Sequence, residues 1–320
     1  MKVLALITDV DDMPFIRNFL NEHFKVKYAP NCNIDQFYQE MYDANIIYTN
    51  PNNSRFALNR DCLAKLKNLE TVVTASTGTV HIDLDYCREA DIKVICIKDE
   101  LSTLRRISST AEHAVLLTLT LLRRTHLSMP DVWDGNWDYT DYIGRQVNCT
   151  KIGSVGYGRL GTIYLDIMHA MGAECSFHDP YVDEYPDHIC KKSLRALFKE
   201  CDVVAIHCHV TAETRNLIDL DILENARTSV IINTARGEIV NIEDLITWLK
   251  NDKNRYYGTD VLPEEQDSEN RNKLLTALKA VKKQVAITPH QGGMTFDARK
   301  IAYERALQLL FASEDIPYNN

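Results

Sequence analysis

The chain has 320 residues, of which 45% are hydrophobic and 25% charged, and its formal net charge is −9 at pH 7. A chain of this length exceeds the size at which one hydrophobic core usually stops growing, so two domains are expected. The negative charge, without any basic run, argues against nucleic acid or an anionic membrane as the main partner.

The first third of the sequence alternates short apolar runs with helical stretches. Strands are predicted at residues 3–7, 46–48, 72–73 and 94–97, and helices at residues 13–22, 59–67 and 84–89. Such alternation predicts a parallel sheet. The first apolar run is too short for a signal peptide, and the longest apolar segment, residues 113–122, is far below the ~18 residues of a membrane span. We therefore expect a cytoplasmic protein.

A second series of strands and helices follows. A helix over residues 110–124 is apolar on nearly every side, which predicts burial against its own domain or against a second subunit. Strands are then predicted at residues 152–155, 175–177, 203–206, 230–232, 258–261 and 285–288, and a last helix at residues 295–312. This series predicts a second, complete sheet, and we expect no further domain after residue 320.

Three glycines after the first strand of the second series have the spacing of a dinucleotide-binding turn. Gly156 allows a sharp turn, Gly158 allows the backbone to approach a pyrophosphate, and Gly161 allows the next helix to pack close to the sheet. The helix that begins at Arg159 and Leu160 directs its free amides and the positive end of its dipole at the phosphates. Alone, the glycines also fit an ordinary turn between a strand and a helix.

Asp179 strengthens the dinucleotide interpretation. It ends the second apolar run of this series, 18 residues after Gly161, and the acid that binds the adenosine ribose is expected after roughly 20. A carboxylate there repels the additional phosphate of NADP, and the next residue is Pro180 rather than an arginine. NAD is therefore the predicted cofactor.

The nine cysteines are scattered, odd in number and without a Cys-x-x-Cys pair, so reduced thiols are expected. His207, Cys208 and His209 are adjacent, as in some metal sites. Alternate side chains of a strand face opposite ways, so the two histidines share a face that the cysteine does not. No metal is predicted.

Three short polar motifs follow apolar strands of the second series, at residues 233–237, 260–265 and 288–293. Ligands of open parallel sheets bind outside the carboxyl ends of the strands. We therefore expect the three motifs to converge on the crevice that holds the dinucleotide.

Together with the glycine block, these motifs resemble the D-isomer-specific 2-hydroxyacid dehydrogenase family, which includes phosphoglycerate, D-lactate and glyoxylate/hydroxypyruvate enzymes. The resemblance covers most of the chain, including Trp137 and residues 76–79, 82–84, 110–113, 151–181 and 211–214. It implies an α/β protein with a Rossmann NAD-binding domain, a doubly wound parallel sheet, and a smaller flavodoxin-like substrate domain. The NAD domain is expected at residues 99–290, and the substrate domain at residues 1–98 and 291–320.

The resemblance also implies the catalytic residues. The family's arginine matches Arg236, whose planar pair of donors would bind the substrate carboxylate and carbonyl. The family's histidine matches His290, which would take or return the hydroxyl proton. The family's glutamate lies five residues after the aspartate that matches Asp260, which selects Glu265 over Glu264. A carboxylate beside the imidazole favours the charged ring.

Other positions match residues that line the cofactor or the substrate. Asp260 matches the aspartate that hydrogen-bonds the nicotinamide amide, and the backbone around residues 76–79 would help to hold the substrate carboxylate. The implied cofactor-binding residues are Thr77, Gly156, Gly158, Arg159, Leu160, Gly161, Asp179, Pro180, His207, Cys208, Thr214, Thr234, Ala235, Asp260 and Gly292. The implied substrate-binding residues are Asn50, Ser76, Thr77, Gly78 and Arg236.

The chain departs from the family pattern in several places. The sequence His-Cys-His at residues 207–209 replaces the common His-x-Pro, which alters the adenine-side wall. On the substrate side, the chain differs from the family pattern at residues 49–52 and at Val80. The loop of residues 98–109 is longer and more basic than is usual in the family. With residues 157–161, these features resemble phosphoglycerate-dehydrogenase-like members, here without a regulatory domain.

Each catalytic candidate alone also fits a structural role. Arg236 fits a surface arginine at a strand end, His290 a histidine beside a proline turn, and Glu265 one member of an acidic loop. Glu112 and His113 have the composition of an acid–base pair, but on an apolar helix a structural contact is favoured. The occurrence of the three motifs in family order favours catalysis.

We therefore predict reversible, NAD-linked interconversion of a small D-2-hydroxy acid and its 2-oxo acid, by a homodimer that pairs through the cofactor domain. Two alternatives stay open. The scaffold also resembles the C-terminal-binding-protein corepressors, which use NADH as a conformational ligand. It resembles formate dehydrogenases as well. That activity would require His290 to have a partner other than Glu265.

Overall fold

The computed structural model describes residues 1–51, 56–265 and 267–318. The strands are β1 (Val3–Leu6), β2 (Lys25–Tyr28), β3 (Ile46–Thr49), β4 (Thr71–Thr74), β5 (Lys93–Cys96), β6 (Lys151–Val155), β7 (Glu174–His178), β8 (Ile189–Lys191), β9 (Val203–Ile206), β10 (Val230–Asn233), β11 (Tyr256–Thr259) and β12 (Val285–Ile287). The helices are α1 (Pro14–His23), α2 (Ile34–Met41), α3 (Arg60–Leu63), α4 (Leu84–Glu89), α5 (Leu101–Leu104), α6 (Ser109–Leu122), α7 (Thr125–Trp133), α8 (Arg159–Ala170), α9 (Leu194–Glu200), α10 (Leu220–Leu223), α11 (Ile242–Asn251), α12 (Ser268–Leu278) and α13 (Phe296–Ser313). Short 3₁₀ turns occupy Thr140–Tyr142, Val147–Cys149, Gly237–Ile239 and Lys279–Gln284.

The chain divides into two compact units. The first unit is Met1–Ile107 with Thr295–Asn320, and the second unit is Ser108–Met294. The predicted boundaries, after residues 98 and 290, fall at different places. Residues 99–107 stay with the first unit because Leu104 is buried in its core. Residues 291–294 stay with the second because the N–H groups of Gln291 and Gly292 bond to Asp260.

The first unit is built on a parallel sheet in the order β2-β1-β3-β4-β5. Alternate residues of β1 enter two cores: Leu4 and Leu6 pack with α1 and α13, whereas Ala5 packs with α2, α3 and α4. Strand β2 was not predicted because its sequence alternates lysine with apolar residues at the sheet edge. Helix α2, also not predicted, is stabilised at its start by a reciprocal capping box between Asn33 and Gln36.

The second unit is built on a parallel sheet in the order β12-β11-β10-β9-β6-β7-β8. Helices α6 and α8 cover one face, and α9 to α12 cover the other. The strand order reverses between β6 and β9, and such a reversal opens a crevice at the carboxyl ends of the strands. Strand β8 was not predicted because it has only three residues, and β11 ends at Thr259, earlier than predicted.

Helix α6 is less enclosed than its sequence predicts. Ala111, Ala114, Leu117 and Leu121 are buried in the second unit, but Leu116 is half exposed. No helix among the described residues is long and apolar enough to cross a membrane. The nine cysteines all lie in the described ranges, and none of them forms a disulfide there.

Because His81 of the first unit is buried, we expect the folded protein to lose stability in acid. Its Nε2 lies 3.2 Å from Thr74 Oγ1, and burial lowers its pKa from the ordinary 6.5 to about 4. Between these pH values the unfolded chain binds a proton that the folded chain does not. The stability contributed by neutral His81 is therefore present above pH 6.5 and lost as the pH falls to 4, up to about 3 kcal/mol.

Urea unfolding at pH 7 and pH 4.5 measures this contribution. His81→Gln keeps a nitrogen near the position of Nε2 but does not titrate, so the variant should lose less stability between the two pH values than the wild type. His188→Gln, which changes an exposed histidine of the second unit, serves as the control. An equal loss in wild type and His81→Gln would contradict the prediction.

Candidate active site

The turn after β6 has the geometry of a dinucleotide-binding turn. Gly156 adopts φ +94° and donates its N–H to His178 O, 2.8 Å away. A Cβ at Gly156 would lie 2.9 Å from Cys208 N, so only glycine fits at this position. Gly161 lies in the first turn of α8, directly against Gly156 O. The turn is therefore held between two strands and one helix.

The start of α8 fits a pyrophosphate. Gly158 is the N-cap and has no side chain with which to cap the first turn, which contains Arg159 and Leu160. A Cβ at Gly158 would meet nothing within 4 Å. The space beside Gly158 is thus open, and it lies at the positive end of the dipole of a 12-residue helix.

Asp179 lies at the carboxyl end of β7, next to this turn. Its Oδ2 accepts the N–H of Tyr157 (2.9 Å) and its Oδ1 accepts the N–H of Tyr181 (3.0 Å). These bonds fix the carboxylate beside the turn, where it fits a ribose diol. The exposed Pro180 follows it and carries no charge that would bind an additional phosphate.

The segment after β9 forms the opposite wall of this crevice. The N–H of His207 donates to Val155 O (2.8 Å), and burial lowers the pKa of the His207 ring to about 4. Burial also raises the pKa of Cys208 to about 11. The hydroxyl of Thr214 donates to His209 O (2.6 Å) and closes the loop. Among the described residues, no three His, Cys, Asp or Glu side chains lie close enough together to hold a metal ion.

Arg236 extends from a turn at the carboxyl end of β10. The side chain of Asn233 shapes this turn: its Nδ2 donates to Arg236 O (3.0 Å) and its Oδ1 accepts the N–H of Ala235 (3.1 Å). Arg236 Nη1 donates to Ala235 O (2.7 Å). Thr234 is buried, and its hydroxyl has no hydrogen-bond partner in the described part of the chain.

His290 contacts Glu265 directly. The Nδ1 of His290 is hydrogen-bonded to Glu265 Oε1, while Glu265 Oε2 accepts the N–H of Leu262 (3.0 Å). Burial raises the pKa of Glu265, but the hydrogen bond and charge of His290, the Leu262 N–H and the charge of Arg236 outweigh it, so the pKa is lowered. The carboxylate is therefore ionised at neutral pH. The adjacent Glu264 is exposed and adopts φ +49°.

Gly237 holds the arginine turn against the loop that carries Glu265. A Cβ at Gly237 would lie 2.1 Å from both Leu262 C and Pro263 N, so the two backbones are in direct contact there. Arg236 and Glu265 are thus brought together by backbone packing. Gly237 was part of a motif noted in the sequence, but nothing in the pattern indicates which backbone it approaches.

Asp260 anchors the loop that carries His290. Its Oδ1 accepts the Gln291 N–H (2.9 Å) and the Thr288 hydroxyl (2.5 Å), and its Oδ2 accepts the Gly292 N–H (2.7 Å). Asp260 is 2% exposed. Its carboxylate therefore has a structural role in addition to the predicted contact with nicotinamide, which stays a prediction.

The predicted substrate-binding residues of the first unit lie at the carboxyl ends of β3 and β4. Asn50 Nδ2 donates to Ala75 O (3.0 Å), so its side chain joins the two loops. The Ser76 hydroxyl donates to Gly78 O (2.7 Å), and Thr77 is exposed. Asn52, part of the segment that departs from the family pattern, lies outside the described residues.

Comparisons with known proteins support the same interpretation. Residues 115–292 match the family described as D-isomer specific 2-hydroxyacid dehydrogenase, NAD binding domain. A formate dehydrogenase of Chaetomium thermophilum is 31% identical over 286 residues, which cover 86% of this chain and 75% of that one. A D-3-phosphoglycerate dehydrogenase of Methanocaldococcus jannaschii is 27% identical over 308 residues, covering 94% of this chain and 55% of that one.

A solved structure extends the similarity to the whole fold. The D-lactate dehydrogenase from Aquifex aeolicus, complexed with NAD and lactic acid, superposes with a TM-score of 0.80 at 25% identity, covering 98% of this chain and 95% of that one. The predicted α/β fold and the NAD-binding domain are confirmed. The family match covers more than half of the chain and includes the glycine turn, Arg236, Glu265 and His290. The chain therefore belongs to the D-isomer-specific 2-hydroxyacid dehydrogenase family of NAD-dependent oxidoreductases.

Proposed function

We propose that this protein interconverts a small D-2-hydroxy acid and its 2-oxo acid, with His290 as acid and base, Glu265 as its partner and Arg236 as the carboxylate anchor. The contact between His290 and Glu265, within the electrostatic influence of Arg236, is the observation that carries the proposal. All three side chains follow strands of the sheet that also bears the dinucleotide turn.

The hydrogen bond to Glu265 decides which nitrogen of His290 moves the proton. An ionised Glu265 accepts a hydrogen bond, so it holds a proton on Nδ1 and leaves Nε2 as the exchanging atom. When NADH is bound, it supplies the hydride that carbon 2 of the oxo acid receives. His290 then gives its Nε2 proton to the developing alkoxide, and in the reverse direction Nε2 takes that proton back.

Arg236 would bind the substrate and polarise its carbonyl. Its Nη1 is oriented by Ala235 O, and a guanidinium presents parallel N–H donors that match the two oxygens of a carboxylate. On the cofactor side, Asp179 favours NAD over NADP because an additional phosphate would meet its negative charge.

A panel of substrates tests the proposal. We expect NADH oxidation with at least one 2-oxo acid from a set that includes phosphorylated and unphosphorylated acids, and the set also tests the predicted phosphoglycerate-like specificity. Formate with NAD belongs in the same assay, because the Chaetomium relative is named a formate dehydrogenase. Formate oxidation without 2-oxo acid reduction would overturn the proposal. Tight NADH binding without any turnover would support the corepressor-like alternative.

We also propose that the protein is a cytosolic homodimer that pairs through the second unit. Large apolar side chains are exposed there, including Trp133 (90%) and Trp137 (89%), and tryptophan is a residue type enriched at protein interfaces. The same stretch of the chain also exposes Leu116, Met129, Val132, Tyr139 and Ile143. The nine cysteines, which form no disulfide in the described ranges, support a reducing compartment.

Sedimentation at micromolar concentration tests the dimer. Trp133→Glu places a charge among these exposed apolar residues and should weaken dimerisation by about 100-fold or more, as expected where a tryptophan is a main contact of an interface. Tyr42→Ser changes an exposed aromatic residue of the first unit and should leave the dimer intact. A wild type that sediments only as a monomer would refute this part of the proposal.

A further inference from the structure

We propose that His113 is a positioning residue for His290 and that it acts through Thr288 and Asp260. The inference rests on the proposed function, since it assigns His290 the proton transfer. It also assigns a role to a histidine whose sequence context favoured only a structural contact.

The donors and acceptors of this network can be assigned from its geometry. Thr288 Oγ1 lies 2.8 Å from His113 Nε2 and 2.5 Å from Asp260 Oδ1. A hydroxyl has one proton, and the carboxylate of Asp260 can only accept while it is ionised. Thr288 therefore donates to Asp260 and accepts from His113, which requires the proton of His113 on Nε2. The result is a directed chain from His113 through Thr288 to Asp260, and His113 Nε2 itself lies 3.5 Å from Asp260 Oδ1.

The end of this chain fixes the backbone on the C-terminal side of His290. Asp260 accepts the N–H groups of Gln291 and Gly292, the two residues that follow His290. His290 itself adopts φ +52°, in the left-handed region that residues other than glycine rarely occupy. Such a conformation persists only where the surroundings determine it. Asp260 and its donors are among the contacts that hold it here, together with Glu265.

His113 decides which acceptor the Thr288 hydroxyl uses. Thr259 O lies 3.5 Å from Thr288 Oγ1 and is the alternative acceptor. While His113 donates to the hydroxyl oxygen, the hydroxyl proton is directed to Asp260. His113 is 8% exposed on α6, whose neighbouring residues Ala114 and Leu117 are buried in the core. The donor therefore sits on a rigid element.

The loop is also seated directly on His113. A Cβ at Gly292 would lie 2.9 Å from Asp260 Oδ2 and 3.3 Å from His113 Cβ, which leaves no room for a side chain. His113 lies near the point where the chain enters the second unit, and Gly292 near the point where it leaves. The network thus fixes the catalytic loop to the first helix of its own unit.

The test compares two substitutions of His113. His113→Met keeps an apolar side chain of similar length without a donor, whereas His113→Gln places an amide N–H near the position of Nε2. We expect His113→Met to lower kcat on the best 2-oxo acid by about 10-fold, since small misplacements of catalytic groups cost up to about 100-fold. KM and the Kd for NADH should change by less than about 3-fold on the same reasoning, and His113→Gln should restore most of kcat.

Amide hydrogen exchange in the protein without ligand provides a second readout. In His113→Met, the amides of Gln291 and Gly292 should exchange about 10-fold faster than in the wild type, as local opening becomes easier. Thr118→Val is the matched control, because it removes a buried hydroxyl of the same helix that bonds to Ala114 O and Tyr164. It should leave both kcat and these two amides unchanged.

Combining His113→Met with Thr288→Val separates a connected chain from two independent effects. If kcat of the double variant is no lower than kcat of the slower single variant, the result supports the chain. If the fold losses in kcat of the two single variants multiply in the double variant, the chain is overturned. Unchanged kcat and exchange in His113→Met also overturn it, as does a His113→Gln variant as impaired as His113→Met. If His113→Met does not fold, His113→Asn, whose shorter amide does not reach Thr288, takes its place.

Failure of the proposed function gives a different pattern. A wild type without turnover on any 2-oxo acid refutes the proposed function, whatever the variants do. The exchange of Gln291 and Gly292 still reports whether His113 holds the loop: faster exchange in His113→Met supports that role, and unchanged exchange refutes it.

Discussion

Replacing His290 with alanine should lower kcat on the best 2-oxo acid by at least about 100-fold, the lower end of typical general acid–base contributions. The substitution removes the only ring that Glu265 contacts through a hydrogen bond in the described structure. It leaves Gly156, Gly158 and Asp179 unchanged, so the Kd for NADH should stay within about 3-fold of the wild-type value, as for a group that acts mainly on the transition state.

His290→Asn is the matched variant that separates chemistry from backbone strain. His290 has φ +52°, and asparagine adopts this left-handed conformation more readily than alanine does. If the imidazole performs the proton transfer, both variants lose activity to a similar extent. If His290→Asn retains most of kcat, the loss in alanine reflects the backbone, and His290 is not the acid–base group.

The sequence was informative where the chemistry depends on local spacing. The glycine turn and Asp179 are separated by one strand–helix–strand unit, so their spacing along the chain indicates their distance in the fold. The three strand-end motifs could likewise be recognised from the sequence, because parallel strands bring their carboxyl ends to one edge of the sheet. The glutamate that contacts His290 is Glu265, five residues after Asp260, while Glu264 is exposed.

The sequence did not indicate the contacts that position these groups. His113 and Thr288 are 175 residues apart, and no local pattern indicates that two such residues will share a hydrogen bond. The approach of Gly237 to Pro263 likewise depends on how two loops pack. The edge strands β2 and β8 were missed for a related reason. Both are short and only partly buried, so they contain few apolar residues from which a strand could be predicted.

Replacing Arg236 with lysine should lower kcat/KM for the 2-oxo acid by about 100-fold, mainly through a higher KM, as expected for the loss of charge-assisted hydrogen bonds. Lysine keeps the positive charge near Glu265 but replaces a planar fork of donors with a single ammonium. The charge of Arg236 contributes to the lowered pKa of Glu265, so Arg236→Lys should leave the pairing with His290 largely intact. The Kd for NADH should not change.

Arg227→Lys is the control for this substitution. Its guanidinium bonds to Asp202, which precedes β9 at the opposite, amino-terminal edge of the sheet, so the same chemical change is made away from the site. KM should stay at the wild-type value in this variant. An Arg236→Lys enzyme with normal KM and kcat would show that the carboxylate is bound elsewhere. A raised KM in Arg236→Lys alone shows that the geometry of the guanidinium, beyond its charge, recognises the acid.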